Sequence, residues 1–440
     1  MYLEYAKQHK FMQHRTRLIR FLIAGIIGYS LTFSVHAGEI RTLRVQYIDT
    51  ESGESPRMPE RPVLFINGTT PIGVEGDING HLLEISFDEM SQDFRQYTYT
   101  IRHCDARGVP DNLASVEYLQ GYTTQAITDY TPSVNTQQVY THYRFLFPNE
   151  DMRLTLSGRY ELSVYEDNNP DLTVARIPIY VCEARVRIDG KVLSTTDIEL
   201  SGRYQQLELE VVTDGRSTAL RDDYFIVVQQ NGRFDNQVYA PQPTFVDSRT
   251  LRWQHAAPLI FEGGDEYRHF DAYSTYFAGT GIDRVVYELG DYHALLNADE
   301  LRADKPYSHE YDVNGQYRIN AERVNNPDTE GEYMWVHWLL HADRPFFDGA
   351  VYVGGDLFGN ACTLRNRMDY DAEHKCYYLS APLKQGGYDY QYWFMPKNGA
   401  QATLFRTEGS HWETRNEYTV FVYYRPFGAR YDQLVGIKTL

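Results

Sequence analysis

Residues 386–394 read Gly-Gly-Tyr-Asp-Tyr-Gln-Tyr-Trp-Phe. Tyr388, Tyr390, Tyr392 and Phe394 recur with a period of two, which places them on one face of a strand opposite Asp389, Gln391 and Trp393. Lys384-Gln385-Gly386-Gly387 before this run and Pro396-Lys397-Asn398-Gly399 after it are turn chemistry. The same alternation recurs at Leu207, Leu209 and Val211 against Glu208 and Glu210, and again at Ile177, Ile179 and Val181. The chain holds 37 Tyr and 21 Phe, and such rings suit the pleated, half-buried surface of a sheet. The pattern predicts an all-β chain of tandem immunoglobulin-like β-sandwiches. One short helix-like stretch is expected, from about His293 to Ala303.

Outward from that stretch the chain divides. Arg15, Arg17 and Arg20 precede an apolar run from Phe21 to Tyr29, and Val35-His36-Ala37 then leads to Gly38. This is the layout of a cleaved secretory signal peptide, residues 1–37. The run is too interrupted by Gly, Ser, Thr and His to supply the ~20 apolar residues that span a bilayer. The remaining chain, about 400 residues, is too long for one core. Breaks in the alternation divide it into a first sandwich over 38–182, a second over 183–304, a polar linking segment over 305–331 and a C-terminal immunoglobulin-like unit over 332–440. A porin-like barrel is disfavoured, because the alternating runs are short and irregular and the chain ends in Ile437-Lys438-Thr439-Leu440 rather than an aromatic strand.

The formal net charge is −18, which argues against nucleic acid as a partner because phosphates demand a basic surface. Four cysteines in an exported chain allow two disulfides. Cys362 and Cys376 are candidates for a bridge closing a loop of about 15 residues, worth ~3 kcal/mol in the chain-entropy account. The other reading is buried thiols acting as small hydrophobes. No Cys-x-x-Cys spacing suggests redox work or zinc.

Residue types with catalytic potential occur without the spacing that the chemistry needs. His103-Cys104-Asp105 has the residue types of a nucleophile, base and orienter, but adjacent strand residues point to opposite faces. His337 and His341, read on a strand, share a face about 13 Å apart, too far for one metal. His-Glu-x-x-His, a phosphate-binding Gly-rich loop and Gly-x-Ser-x-Gly are absent from the sequence. The expectation is a non-catalytic protein without cofactor or metal.

Two resemblances remain. Val351-Tyr352-Val353-Gly354-Gly355-Asp356-Leu357-Phe358-Gly359-Asn360 and Leu383 to Tyr392 resemble the immunoglobulin-like (E-set) modules that bind glycogen and starch, with Phe358-Gly359-Asn360 where those carry a Trp. This gives an alternative reading, a periplasmic or surface carbohydrate-binding protein. The second resemblance spans nearly the whole chain. Tyr99-Thr100-Ile101-Arg102-His103-Cys104-Asp105 is followed by Glu117 to Tyr122, Ser133 to Thr136 and Tyr140 to Tyr143. Ser157 to Tyr160, Asp167 to Asp171, Glu408 to Thr414 and Asn416 to Asp432 come after, in order. Together these motifs are similar to the type IX secretion plug protein family of Bacteroidetes. The resemblance implies a periplasmic β-rich protein that seals the periplasmic opening of the giant outer-membrane translocon barrel and meets the membrane only through that partner. Within the last motif, Arg425-Pro426-Phe427-Gly428 reads as a turn, and Arg425 and Phe427 are the candidate partner contacts because Arg and aromatic side chains dominate interface hot spots.

Overall fold

Gly386–Pro396 forms an eleven-residue strand in the computed structural model, which describes residues 39–49, 62–68, 70–91, 94–200, 202–213, 221–239, 242–399 and 401–440. The expected signal peptide lies outside the described residues. Tyr388, Tyr390, Tyr392 and Phe394 enter a core shared with Phe270, Trp338, Val351 and Val353. Their strand pairs with Arg268–Asp271, Tyr317–Ile319 and Gly349–Gly354. The facing sheet runs in the order Ile282–Glu288, Asp291–Leu296, Tyr333–His341, Cys376–Lys384, Asp369–Asp371. Gln385 is the corner at which the chain leaves one sheet for the other.

The second face of Gly386–Pro396 is buried too. Asp389 Oδ1 lies 2.7 Å from His269 Nδ1, and Gln391 donates through Nε2 to the Asp265 carbonyl at 2.6 Å. Trp393 packs with Ala402 and Leu404, and the Arg233 guanidinium sits 4.3 Å from its ring centre. The polar residues of the alternating run are therefore satisfied by protein rather than by water, as burial requires.

The chain is all-β, and the structure corrects the reading in four places. The helix-like stretch from His293 to Ala303 is instead the strands Asp291–Leu296 and Asp299–Glu300, both parallel to Tyr333–His341. Ala294 and Leu296 face the core while His293 faces away, a period-two pattern too short to separate from a helical one by sequence. The segment 305–331 is no linker: it supplies Tyr317–Ile319 to a sheet and the helical turn Pro327–Glu330, whose N-terminus is capped by Asn326.

The C-terminal unit expected over 332–440 is divided between two cores. Tyr418–Tyr424 pairs with Tyr224–Gln230 on one side and Gln433–Thr439 on the other. Tyr418, Val420, Val422 and Val435 share a core with Leu207, Leu209, Val211 and Trp253. So the second sandwich, which also leaves 183–304 as a contiguous unit behind, is built from 187–262 and 418–439, and the third unit is inserted between its strands.

The first unit packs a sheet ordered Ile40–Asp49, His81–Glu89, Thr141–Phe147, Asp129–Pro132 on one ordered Leu64–Phe65, Thr173–Cys182, Gly158–Glu166, Tyr97–Cys104, Thr124–Ala126. In His81–Glu89, Leu83, Ile85 and Phe87 fill the core. Asp88 points outward and is buried nonetheless, because the third unit lies over it. Lys384 Nζ reaches Asp88 Oδ2 at 2.7 Å, and both side chains are 1% exposed. Tyr333 donates to the same oxygen at 2.8 Å, and His142 Nδ1 lies 2.7 Å from Oδ1. Tyr140 donates to the Gly331 carbonyl, and its ring lies 4.2 Å below the Lys384 ammonium. The joint between first and third units is thus polar. That between first and second is apolar, with Val63, Tyr180 and Cys182 against Val227, Phe421, Tyr423 and Leu434.

Candidate partner-contact site

The eight residues between Tyr418–Tyr424 and Gln433–Thr439 form a loop tied down at both ends. At its start the Arg425 amide donates to the Asp223 carbonyl at 2.8 Å, and Arg425 Nη1 reaches Asp432 Oδ1 at 3.3 Å. Ala429 closes a four-residue turn on the Pro426 carbonyl at 2.9 Å. Gly428 has φ +84°, the left-handed value such a turn needs at its third position, and a Cβ there would meet nothing. At the far end Asp432 Oδ2 accepts from the Ala106 amide at 3.0 Å, Tyr431 packs edge-on against the His103 ring, and Arg430 pairs with Glu117. Burial pushes the Asp432 carboxyl above its ordinary value, against the Ala106 amide and Arg425.

Three of the loop's side chains therefore fasten the second unit to the first, while its tip carries a phenylalanine that is 99% exposed. Val109 and Val116 of the first unit are exposed as well, and Val116 adjoins the Glu117 that Arg430 holds. Of the two contact residues expected from sequence, Phe427 is presented to solvent and Arg425 is half-engaged with Asp432. The valines are not legible in the sequence, because a lone surface valine carries no pattern.

Phe427→Ala is expected to change stability by less than about 0.5 kcal/mol, the usual effect of a surface change. If the tip is a contact, the variant should weaken partner capture by about 2 kcal/mol, roughly thirtyfold. Thermal unfolding and a pull-down with titrated protein read the two effects separately.

The motif residues with catalytic types are structural. His103 contacts Asp111 through Nδ1, and its Nε2 lies 3.1 Å from the Ser157 carbonyl. Cys104 points to the opposite face, and burial raises its thiol to about 11, far from thiolate chemistry at neutral pH. His337 sits on a strand, as read, with Nε2 3.0 Å from His293 Nδ1. Burial pulls His337 down to about 3 and lowers His293, so the pair is neutral. Among the described residues no group of three or more His, Cys, Asp or Glu is arranged to hold a metal ion.

Phe358, at the turn where the carbohydrate modules carry their stacking ring, packs inward against Trp338. Phe358 is thus partly buried against the core rather than fully presented to solvent. A cleft of about 420 Å³ in the third unit is lined by charges that pair with one another, Arg268 with Asp299, Arg302 with Glu310 and Lys305 with Glu300.

The expected Cys362–Cys376 bridge is not formed; all four cysteines are free. Cys362 packs beside Trp393 and Met395, whereas Cys376 pairs with His341 across the other sheet and packs on Leu339. Cys362 lies in a loop packed on the outer face of Gly386–Pro396, whereas Cys376 sits on the strand Cys376–Lys384 of the other sheet, so closeness in sequence does not become closeness in space. Burial raises both to about 12. A reducing agent is accordingly expected to leave the melting temperature unchanged, and intact-mass alkylation after unfolding should count four free thiols.

Several of the motifs that carry the family resemblance fall at the joints. Tyr140 and His142 lie at the joint of first and third units, and Tyr431 and Asp432 at that of first and second. Glu408 to Asn416 forms the return crossing between third and second. There Ser410 donates to the Arg203 carbonyl, and Gln205 Nε2 donates to the Trp412 and Thr414 carbonyls, both at 2.7 Å.

Among the described residues no helix is long and apolar enough to cross a membrane. No curated protein matches the chain. Of solved structures, one similar chain is a hypothetical protein from Parabacteroides merdae, whose crystal structure at 2.30 Å superposes with a TM-score of 0.84. It is 32% identical, over 91% of this chain and 97% of that one. The sequence profile of the type 9 secretion system plug protein 1st domain matches residues 66–183, which is most of the first unit, including both of its joints. This is a family of secretion plug domains and not of enzymes, and the protein belongs to it: the chain is a member of the type 9 secretion system plug protein family.

Proposed function

We propose that the protein is a non-catalytic periplasmic plug that binds the giant outer-membrane translocon barrel of the type IX secretion system and closes its periplasmic opening. The observation that carries this reading is the plug-domain match over 66–183, on a unit locked to both others. A plug must resist deformation by whatever presses on the pore. Three sandwiches cross-tied by an apolar joint, a buried ion pair and an inserted crossing make such a body. Export through the 1–37 signal peptide would deliver it to the periplasm, and contact with the membrane would come only through the barrel. Phe427, two residues from the half-engaged Arg425, is the contact this reading favours, because its backbone is held in a hydrogen-bonded turn tied down at both ends, which lowers the ordering cost of docking. Affinity purification of the tagged protein from its native envelope, followed by mass spectrometry, tests the reading. Recovery of a giant outer-membrane barrel in near-stoichiometric amount is expected. Recovery of the protein alone, or only with polysaccharide-uptake components, would overturn it.

A further inference from the structure

The connection from Arg187–Leu193 to Tyr204–Val212 reverses the usual order of a surface loop. Its acids are engaged by neighbours and its aliphatics face solvent. Asp197 accepts from Gln206 Nε2 at 2.6 Å, and its Oδ1 lies 2.9 Å from His255 Nδ1. Glu199 accepts from Arg203. Between the two acids Ile198 is 58% exposed, and Leu200 just beyond is 83% exposed. Thr196, itself buried, fixes the turn. Its hydroxyl donates to the Glu199 carbonyl at 2.8 Å and accepts from the Glu199 amide at 3.2 Å. Hydrogen bonds on both sides of Ile198 thus hold the apolar side chains outward.

A tryptophan from far along the chain joins them. The Trp412 amide donates to the carbonyl of Gly202, two residues after Leu200, at 2.8 Å. The indole lies on Gly202, where a Cβ would come within 3.0 Å of Trp412 Cδ1. Trp253, Trp338 and Trp393 are fully buried, whereas Trp412 is 45% exposed. The return crossing from third to second unit uses the amide and carbonyl of this residue, the latter accepting from Gln205 Nε2. Neither bond requires an indole. An exposed apolar group of this size, built from two distant segments, is the informative departure from an ordinary surface.

This patch and Phe427 occupy opposite ends of the second unit. Tyr418 opens the strand Tyr418–Tyr424 and donates to Gln205, beside the Trp412 crossing, at 2.7 Å. Phe427 follows the other end of the same strand. At the rise of an extended chain that strand separates its two ends by about 20 Å.

We infer that Ile198, Leu200 and Trp412 form a second contact with the translocon barrel, seated in an apolar depression of its periplasmic rim, so that the second unit is gripped at both ends. The inference rests on the plug reading and names where the body is held. Three side chains fall well short of the ~800 Å² that each partner of a stable complex buries, so the patch by itself does not hold a second copy. As one of two contacts on the same large partner it has only to close after Phe427 has docked, and the two affinities then multiply through effective concentration. The seat is uncharged because the acids of the loop already have partners, and tryptophan is the side chain that most often dominates such a contact.

The test is hydroxyl-radical footprinting of the full protein, free and bound to the detergent-solubilised translocon barrel of the same system. Barrel affinity is measured alongside for Leu200→Ser, Ile198→Ser and Leu200→Ser combined with Phe427→Ala. The expected result is oxidation of Leu200 and Trp412 at least about fivefold slower in the complex. Leu200→Ser should bind at least about tenfold more weakly at an unchanged melting temperature, and adding Phe427→Ala should multiply the two losses. Unchanged oxidation at both residues, with Leu200→Ser and Ile198→Ser binding within about twofold of the parent, would overturn the inference while leaving the plug reading standing. Protection that appears in the protein alone and grows with its concentration would assign the patch to a second copy and also overturn it. Failure of the parent protein to bind the barrel would remove both.

Discussion

Lys384→Met is expected to destabilise the joint between the first and third units by about 3–5 kcal/mol, the usual cost of breaking a buried pair by removing one partner. Methionine matches the length of the lysine stem, so packing is kept while the charge and its hydrogen bonds to Asp88 and the Asp328 carbonyl are lost. Asp88 would then lie buried with His142 and Tyr333 as its remaining partners. Asp88→Asn combined with Lys384→Met should recover most of the loss, since an apolar or neutral replacement of both partners is often neutral or better. Urea unfolding of the parent, the two single variants and the double variant gives the coupling directly. A loss below about 1 kcal/mol in Lys384→Met would mean that water reaches the carboxylate and that the joint is looser than described.

The same pair fixes the acid response. Burial alone would raise the Asp88 carboxyl, but Lys384 and His142 outweigh it and hold it below its ordinary value. A carboxylate depressed in the folded state contributes stability that is present above its unfolded value of about 3.9 and is lost as pH falls through the folded value. The joint should therefore weaken below about pH 4 in the parent protein. Lys384→Met should flatten that dependence.

Glu408→Ala is the second large effect. Glu408 is fully buried and accepts from Arg268 Nε and Nη2 and from the Tyr392 amide, at 2.8 Å for the last two. Burial would lower the Arg268 guanidinium, and Glu408 with Asp299 reverses this and raises it. Removing Glu408 leaves Asp299 as the one carboxylate on a buried cation, and leaves an amide of the central strand without an acceptor. The expected loss is about 3–5 kcal/mol. Glu408→Gln keeps an acceptor for the amide and should lose less. Equal losses in the two variants would show that the charge on Glu408 carries the whole effect and that its shape and the retained acceptor contribute nothing.

The class of fold was legible because period-two patterning is local. Tyr388, Tyr390, Tyr392 and Phe394 reveal their shared face within seven residues, and the turns around them are written in Gly and Pro. Burial of the opposite face was not legible, because Asp389, Gln391 and Trp393 are covered by Asp265, His269 and Arg233 from far along the chain. The inserted topology was hidden for the same reason. Tyr418–Tyr424 alternates like any closing strand, and nothing in it says that its partner is Tyr224–Gln230 rather than the strands just before it. Cys362 and Cys376 had the right spacing but pack into different clusters, one from a loop beside Trp393 and one from a strand beside Leu339. At the candidate site the Pro-Phe-Gly turn was readable, since the turn chemistry is local. The anchors Tyr431 and Asp432 were not, because their partners His103 and Ala106 lie more than three hundred residues away.

The central claim is closure of a pore, and the most direct measurement is ion conductance. Translocon barrels purified without this protein would be inserted in a planar bilayer, and the purified protein added in stoichiometric amount on the periplasmic side. The account predicts that the large open-pore conductance falls to near baseline, and that Phe427→Ala requires a higher concentration to do the same. An open-pore conductance that stays unchanged with the protein demonstrably bound would contradict it.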